Sequence, residues 1–199
     1  MLIYWISRIL ALLFFKTVFR LKVSGAKNLP ADQMIIAANH IHLADPFVVA
    51  LATPVRVKIS YMAKNEIFKN WLVAAILRQW RVFPVDRAVA GSAAASLRYA
   101  IGFINSGFSL GIFPEGTRSK DGQLGKATLG AAMIAMRAKV PIVPAAVFGT
   151  TSMLRTGVKV VFGMPLFPED YANNREGMQK MTDAVMAQIA DMLKVGTKQ

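Results

Sequence analysis

His40 and Asp45 sit in the run Asn39-His40-Ile41-His42-Leu43-Ala44-Asp45, and a second chemically loaded stretch, Phe113-Pro114-Glu115-Gly116-Thr117-Arg118-Ser119, comes later in the chain. An imidazole with a carboxylate close by in sequence can serve as a general base. The acid fixes the ring tautomer and favours the imidazolium that forms when the other ring nitrogen takes a proton. In the second stretch glycine allows close backbone approach, and arginine offers a planar, charged grip suited to phosphate. Each residue also has a plainer reading. Asp45-Pro46 is a helix-start signal, with Asp accepting a first-turn N–H and proline at the first helical position, which would leave His40 an ordinary loop histidine. Arg118 taken alone is a loop arginine, and Arg87 a solvated charge at a helix start.

Other chemistries compete for the same residues. Gly107-Phe108-Ser109-Leu110-Gly111 matches the serine-hydrolase elbow, but that elbow needs a strand before it and a helix after, with a histidine further on. Here a helical stretch precedes, a strand follows, and no histidine lies C-terminal. His40, His42 and Asp45 invite a zinc or iron site, yet a chain with two histidines and no cysteine is short of ligands, so no metal is expected. The Gly122 to Thr128 stretch lacks the glycine spacing of a phosphate-binding loop ahead of Gly125-Lys126. The lack of cysteine excludes disulfides and thiolate nucleophiles and fits a reducing, cytoplasmic setting.

The elements that must position these residues alternate between β-rich and helical runs, which predicts one α/β domain with a largely parallel sheet. At 199 residues the chain can bury one sizeable core. Seven strands are expected, near Phe19 to Val23, Met34 to Ala38, Lys58 to Met62, Arg81 to Val85, Ser109 to Phe113, Ile142 to Phe148 and Val158 to Phe162. Both reactive stretches then follow strands, at the edge where α/β folds place reactive groups. A helix should run from Asp45 toward Leu51, and another helical stretch should open near Lys126. After Asn174, the spacing of Met178, Met181, Val185, Ile189 and Met192 predicts a final amphipathic helix whose methionines belong to the core.

The first fifteen residues are almost wholly apolar, but they fall short of the roughly 20 that a spanning helix needs, and they carry Arg8. Tyr4, Ser7, Arg8 and Ala11 share one helical face, while Leu2, Ile3, Ile6, Leu10, Leu13 and Phe14 cover much of the rest. This reads as a helix lying in a membrane interface with Arg8 among the headgroups, because an arginine at a bilayer centre costs on the order of 3 kcal/mol. Lys16, Arg20 and Lys22 follow on the wet side. A core helix and a signal peptide are the alternatives, the latter lacking a basic start and a small-residue cleavage site. The net charge of +13, from 24 basic and 11 acidic residues, predicts attraction to polyanions. A mean hydropathy of +0.41 leans toward lipid. A non-catalytic basic RNA- or membrane-binding module is the rival class, and it lacks the interleaved aromatics that stack on bases.

Taken together and in this order, the two stretches resemble the 1-acylglycerol-3-phosphate acyltransferase family, whose members pair a histidine-x4-aspartate motif with the Phe-Pro-Glu-Gly-Thr-Arg-Ser motif. Phe83-Pro84-Val85-Asp86-Arg87 looks like the family's second block and Val140-Pro141-Ile142-Val143-Pro144 like its fourth, so the likeness covers most of the chain. Two departures stand out: Trp80-Arg81 where a glycine often precedes the second block, and His42 where serine is common. The resemblance implies a single α/β domain of the glycerol-3-phosphate acyltransferase type, with about seven strands in a mostly parallel mixed sheet flanked by helices. Residues 1–18 would be a membrane-interface helix and 19–199 the acyltransferase domain. The resemblance further implies that His40 is the general base and Asp45 its orienting partner. Arg87, Glu115, Gly116 and Arg118 would bind the acceptor, with Thr117 and Asn39 as further candidates. The implied co-substrate is an acyl-ACP or acyl-CoA thioester, with no other cofactor. Lysophosphatidic acid would be the acceptor and phosphatidic acid the product, made on an anionic membrane surface at the cytoplasmic face of the cell membrane, with no nucleic acid partner. Transfer to glycerol-3-phosphate or another lysolipid would use the same base and the same phosphate grip.

Overall fold

The computed structural model describes residues 2–85 and 92–196. In chain order the described elements are α1 (Leu2–Thr17), β1 (Lys22–Ser24), β2 (Ile35–Ala38), α2 (Asp45–Ala52), β3 (Ile59–Lys64), α3 (Trp71–Gln79), β4 (Val82–Val85) and α4 (Ser92–Asn105). They continue with β5 (Ser109–Ile112), α5 (Gly130–Ala138), β6 (Ile142–Phe148), the single turn α6 (Met153–Thr156), β7 (Lys159–Phe162) and α7 (Arg175–Gly196). The strands form one seven-stranded sheet in the order β1-β7-β6-β2-β5-β3-β4. All neighbours pair in parallel except β6 and β7. This is the single α/β domain expected from the alternation of patterns. The first strand is shorter than its apolar run suggests. Arg20 adopts φ 48°, and the Leu21 N–H turns back to the Phe15 carbonyl, so pairing begins only at Lys22.

The central strands are continuous apolar runs because both sheet faces are covered. Alternate residues of β2 divide between two cores. Ile36 and Ala38 join Val48, Val49, Leu51 and Leu77 beneath α1, α2 and α3. Ile35 and Ala37 join Ala100, Ile104, Ala132, Met181, Val185 and Ile189 beneath α4, α5 and α7. The methionine stripe of α7 is therefore core, with Met178 and Met192 at its margin. Lys126 opens no helix. The Thr128 N–H just beyond it is held by the Pro114 carbonyl at 2.9 Å, which keeps the segment in a loop until α5 starts at Gly130.

The N-terminal helix departs from the sequence expectation at Arg8. Arg8 does not face outward but is 1% exposed. Its Nη1 donates to Val57 O at 2.7 Å, and its Nη2 donates to Ala50 O at 2.7 Å, Thr53 O at 3.0 Å and Thr53 Oγ1 at 2.6 Å. These acceptors cluster at the C-terminal end of α2, where a helix leaves its last carbonyls without donors and carries partial negative charge. A guanidinium with five N–H donors answers both needs, so the cation is buried against the domain together with Ala11, Leu12 and Phe15. Ile6, Ile9, Leu10, Leu13 and Phe14 are left pointing outward. Among the described residues no helix is long and apolar enough to cross a membrane.

Replacing Arg8 with methionine keeps much of the side-chain volume but orphans these carbonyls. The variant should lose about 2–4 kcal/mol, given roughly 1–3 kcal/mol for each buried polar group left unpaired and partial rescue by water. Urea denaturation followed by circular dichroism measures this. A loss below about 0.5 kcal/mol would show that the clamp is dispensable.

Candidate active site

Parallel pairing of β2 with β5 places the ends of these two strands side by side, so the loops that leave them meet. The meeting is made through the backbone of His40. Its N–H donates to Glu115 Oε1 at 3.0 Å, and its carbonyl accepts the Ser119 N–H at 2.8 Å. The second oxygen of Glu115 accepts the Gly125 N–H at 2.7 Å. A Cβ on Gly125 would lie 2.9 Å from that oxygen, so a side chain here would push the carboxylate aside. The turn that aims Glu115 is closed by the Gly116 N–H on the Phe113 carbonyl at 3.0 Å, with Gly116 at φ 70°. Both carboxylate oxygens of Glu115 are thus engaged by backbone N–H groups.

Asp45 does not cap its own helix in the forward direction. Its carboxylate folds back over the preceding loop, where Oδ2 accepts the Ile41 N–H at 2.6 Å, the His42 N–H at 2.7 Å and His40 Nδ1 at 2.9 Å. Asp45 is completely buried. Burial is the largest single influence on the carboxyl and on its own would raise its pKa. The bonds from His40 and from the His42 and Ile41 backbones outweigh it and hold the pKa below the ordinary 3.8. The nearby Thr150 hydroxyl adds to this, although neither Thr150 Oγ1 nor Asp45 Oδ1 completes a bond of normal geometry. An ionised carboxylate only accepts, so the proton in the His40–Asp45 bond belongs to Nδ1, and the neutral ring keeps a lone pair on Nε2. The ring is stacked on Phe113, with centroids 4.0 Å apart and planes 20° apart, which restrains it from swinging off the carboxylate.

His40 lines a cavity of about 430 Å³. Its walls are mostly apolar, from Leu43, Phe47, Tyr61, Leu77, Trp80 and Phe113, while Gly116, Thr117 and Arg118 contribute the polar part. Arg118 and Thr117 are exposed, and among the described residues no acidic side chain pairs with Arg118. Asn39 is buried and hydrogen-bonds both backbone groups of Val147, at 2.8 and 3.1 Å, extending the β2–β6 pairing by one rung. His42 bends its own loop, its Nδ1 accepting the Ala44 N–H at 3.2 Å. Phe83 and Val85 of the second block are buried in β4, whereas Arg87 lies outside the described residues. The fourth block starts at the opposite end of β6 from the site, since Ile142 pairs with Ile35. Ser109 of the elbow-like run precedes the edge that carries the site, and its hydroxyl accepts the Met34 N–H at 3.2 Å. The cavity walls escaped the sequence reading because Leu77 or Trp80 in a sequence looks like any other core residue. The Ser119 and Gly125 ties act through backbone N–H groups, which leave no mark on residue type.

Two outcomes follow from these bonds. Because the folded pKa of Asp45 is depressed, its contribution to stability is complete above the unfolded value and is lost as pH falls below 3.8 through the folded value. Asp45→Asn should therefore be less stable than the parent at neutral pH and show a shallower acid limb in stability measured against pH. Glu115→Gln should present an amide donor to one of two backbone donors and loosen the His40 loop. For a charged hydrogen bond worth roughly 1.5–3 kcal/mol, turnover should fall about 10- to 100-fold at nearly constant acceptor KM. A matching rise in KM instead would place that carboxylate on the acceptor.

The acyltransferase family profile matches residues 20–148, which spans both loops and the strands that carry them. The chain is 35% identical to the 1-acyl-sn-glycerol-3-phosphate acyltransferase of Bacillus subtilis, over 86% of this chain and 87% of that one. It is 32% identical to the protein of the same name from Streptococcus pneumoniae, over 79% of this chain and 59% of that one. Its fold matches the crystal structure of the 1-acyl-sn-glycerophosphate (LPA) acyltransferase PlsC from Thermotoga maritima, with a TM-score of 0.71, 26% identity, and coverage of 94% of this chain and 81% of that one. Likeness in sequence and in sheet architecture runs along the same stretch that builds the His40–Asp45 pair, and on that ground the chain belongs to the acyltransferase family.

Proposed function

We propose that this chain transfers a fatty acyl group from an acyl-ACP or acyl-CoA thioester to the sn-2 hydroxyl of 1-acylglycerol-3-phosphate, yielding phosphatidic acid. The reading rests on one observation: a histidine with its Nδ1 committed to a buried carboxylate lines an apolar cavity that carries an arginine with no acidic partner among the described residues. A lysophospholipid phosphate needs both parts, a cation for its headgroup and a dry space for a chain. Arg118 would hold the phosphate, with Gly116 and Thr117 beside it and Arg87 a further contributor from beyond β4. Glu115 would serve by holding the His40 loop, since its oxygens are already engaged.

In the reaction, His40 Nε2 takes the proton of the acceptor hydroxyl as that oxygen attacks the thioester carbonyl carbon. Asp45 steadies the imidazolium that results. The tetrahedral intermediate collapses with cleavage of the C–S bond, and the thiolate leaves with the proton returned from Nε2, giving an ester and a free thiol. No covalent acyl-enzyme is required. The chain would work at a membrane surface, with the outward Leu10, Leu13 and Phe14 of α1 in the interface and the positive charge drawn to anionic lipid.

Purified protein given a labelled acyl thioester and a panel of lysolipids tests the proposal. His40→Ala should lower turnover by roughly 100- to 10,000-fold, the loss expected for a positioned base, with the fold retained. Arg118→Ala should raise KM for the phosphorylated acceptor and leave a phosphate-free lysolipid nearly unaffected. Turnover surviving in the first variant, or equal effects on both acceptors in the second, would overturn the assigned roles.

A further inference from the structure

Membrane attachment through α1 alone leaves a second apolar surface unexplained. Helix α3 forms part of the cavity wall. Leu77 on its inner side lines the cavity, together with Ile67 in the 3-10 turn Asn65–Lys69 and Trp80 just past the helix end. On the outer side Trp71, Leu72 and Ile76 stand in solvent, with Trp71 80% exposed. A helix packed on one side ordinarily shows polar residues on the other, and from Trp71 to Ile76 this one does not. Its start is well made, because the Asn70 side chain accepts the Leu72 and Val73 N–H groups at 3.1 and 3.2 Å, so the apolar face is held ready rather than frayed.

The surroundings select a lipid occupant. Exposed Lys69 and Arg78 bracket the face, and the chain as a whole carries +13, which suits anionic headgroups. The outward residues of α1 belong to the same side of the sheet, since α1, α2 and α3 all cover one core. A bilayer can accept two separate helices at once, and each large side chain moved from water into hydrocarbon contributes roughly 1.5–3 kcal/mol. We propose that α3 is a second bilayer-inserting element, which sets the wall of the acyl cavity directly against the leaflet that holds the acceptor. This rests on the membrane-surface reading given above.

The chain has no cysteine, so single-cysteine probes are clean. Leu72→Cys on α3, Leu13→Cys on α1 and Gln179→Cys on the opposite helix layer would each carry an environment-sensitive fluorophore. They would be mixed with phosphatidylcholine–phosphatidylglycerol vesicles, with and without brominated chains. The Leu72 and Leu13 probes should shift to the blue and be quenched, and the Gln179 probe should do neither. A Leu13 response without a Leu72 response overturns the role of α3 and points to a protein occupant, while leaving membrane binding intact. Silence from both overturns the membrane reading itself. In parallel, the double variant Leu72→Glu with Ile76→Glu should lose at least roughly tenfold of its turnover on vesicle-borne acceptor while keeping turnover on a short-chain acceptor dissolved as monomers. Equal losses on both substrates would overturn the proposal.

Discussion

The loop between Asn39 and Asp45 is short, polar in its backbone and partly buried, and it holds its shape because two carboxylates grip it from different directions. Asp45 reaches back from the start of α2 to take the Ile41 and His42 N–H groups and the His40 ring, while Glu115 reaches across from the β5 loop to take the His40 N–H. Backbone N–H groups sealed from water need acceptors, and a carboxylate is the strongest acceptor a side chain offers. The same bonds that satisfy the loop keep Asp45 ionised despite its burial. An ionised Asp45 in turn decides which ring nitrogen of His40 is left to act as a base. Conformation and chemistry here are one set of hydrogen bonds.

Helix α2 extends this constraint away from the site. It has an acid in its first turn and the Arg8 guanidinium at its last carbonyls, an arrangement that matches the helix dipole at both ends. The helix therefore acts as a strut between the catalytic loop and α1. Because the buried Arg8 is held by those carbonyls, the rotation of α1 about its axis is set, and so is the direction in which Leu10, Leu13 and Phe14 point. A surface that meets lipid and a loop that does chemistry are joined through one short helix. Edge-to-face contact between Phe47 of α2 and Trp80 after α3, with ring centroids 5.4 Å apart, ties the third helix of this layer to the same strut.

Much of the arrangement was legible in the sequence. The seven strands, the α/β order and the amphipathic closing helix follow from hydrophobic periodicity, which survives in any fold that buries those residues. The pairing of His40 with Asp45 was open to a plainer reading, because an aspartate before a proline equally suits the start of a helix. Only the backward fold of the carboxylate separates the two, and that depends on which N–H groups the loop leaves unpaired.

What the residues alone determined, then, is the local vocabulary: strand and helix types, the reactive side chains, the excess of positive charge and the family pattern that links the two loops. Tertiary structure decided three things that pattern cannot carry. It brought the two loops together, since strand order joins β2 to β5 across a long separation in sequence. It assigned the Glu115 oxygens to backbone N–H groups, which have no residue identity. It also buried Arg8, which the residue pattern alone places among headgroups, because the carbonyls at the end of α2 accept its N–H groups, and that set of acceptors is assembled only once α2 is packed.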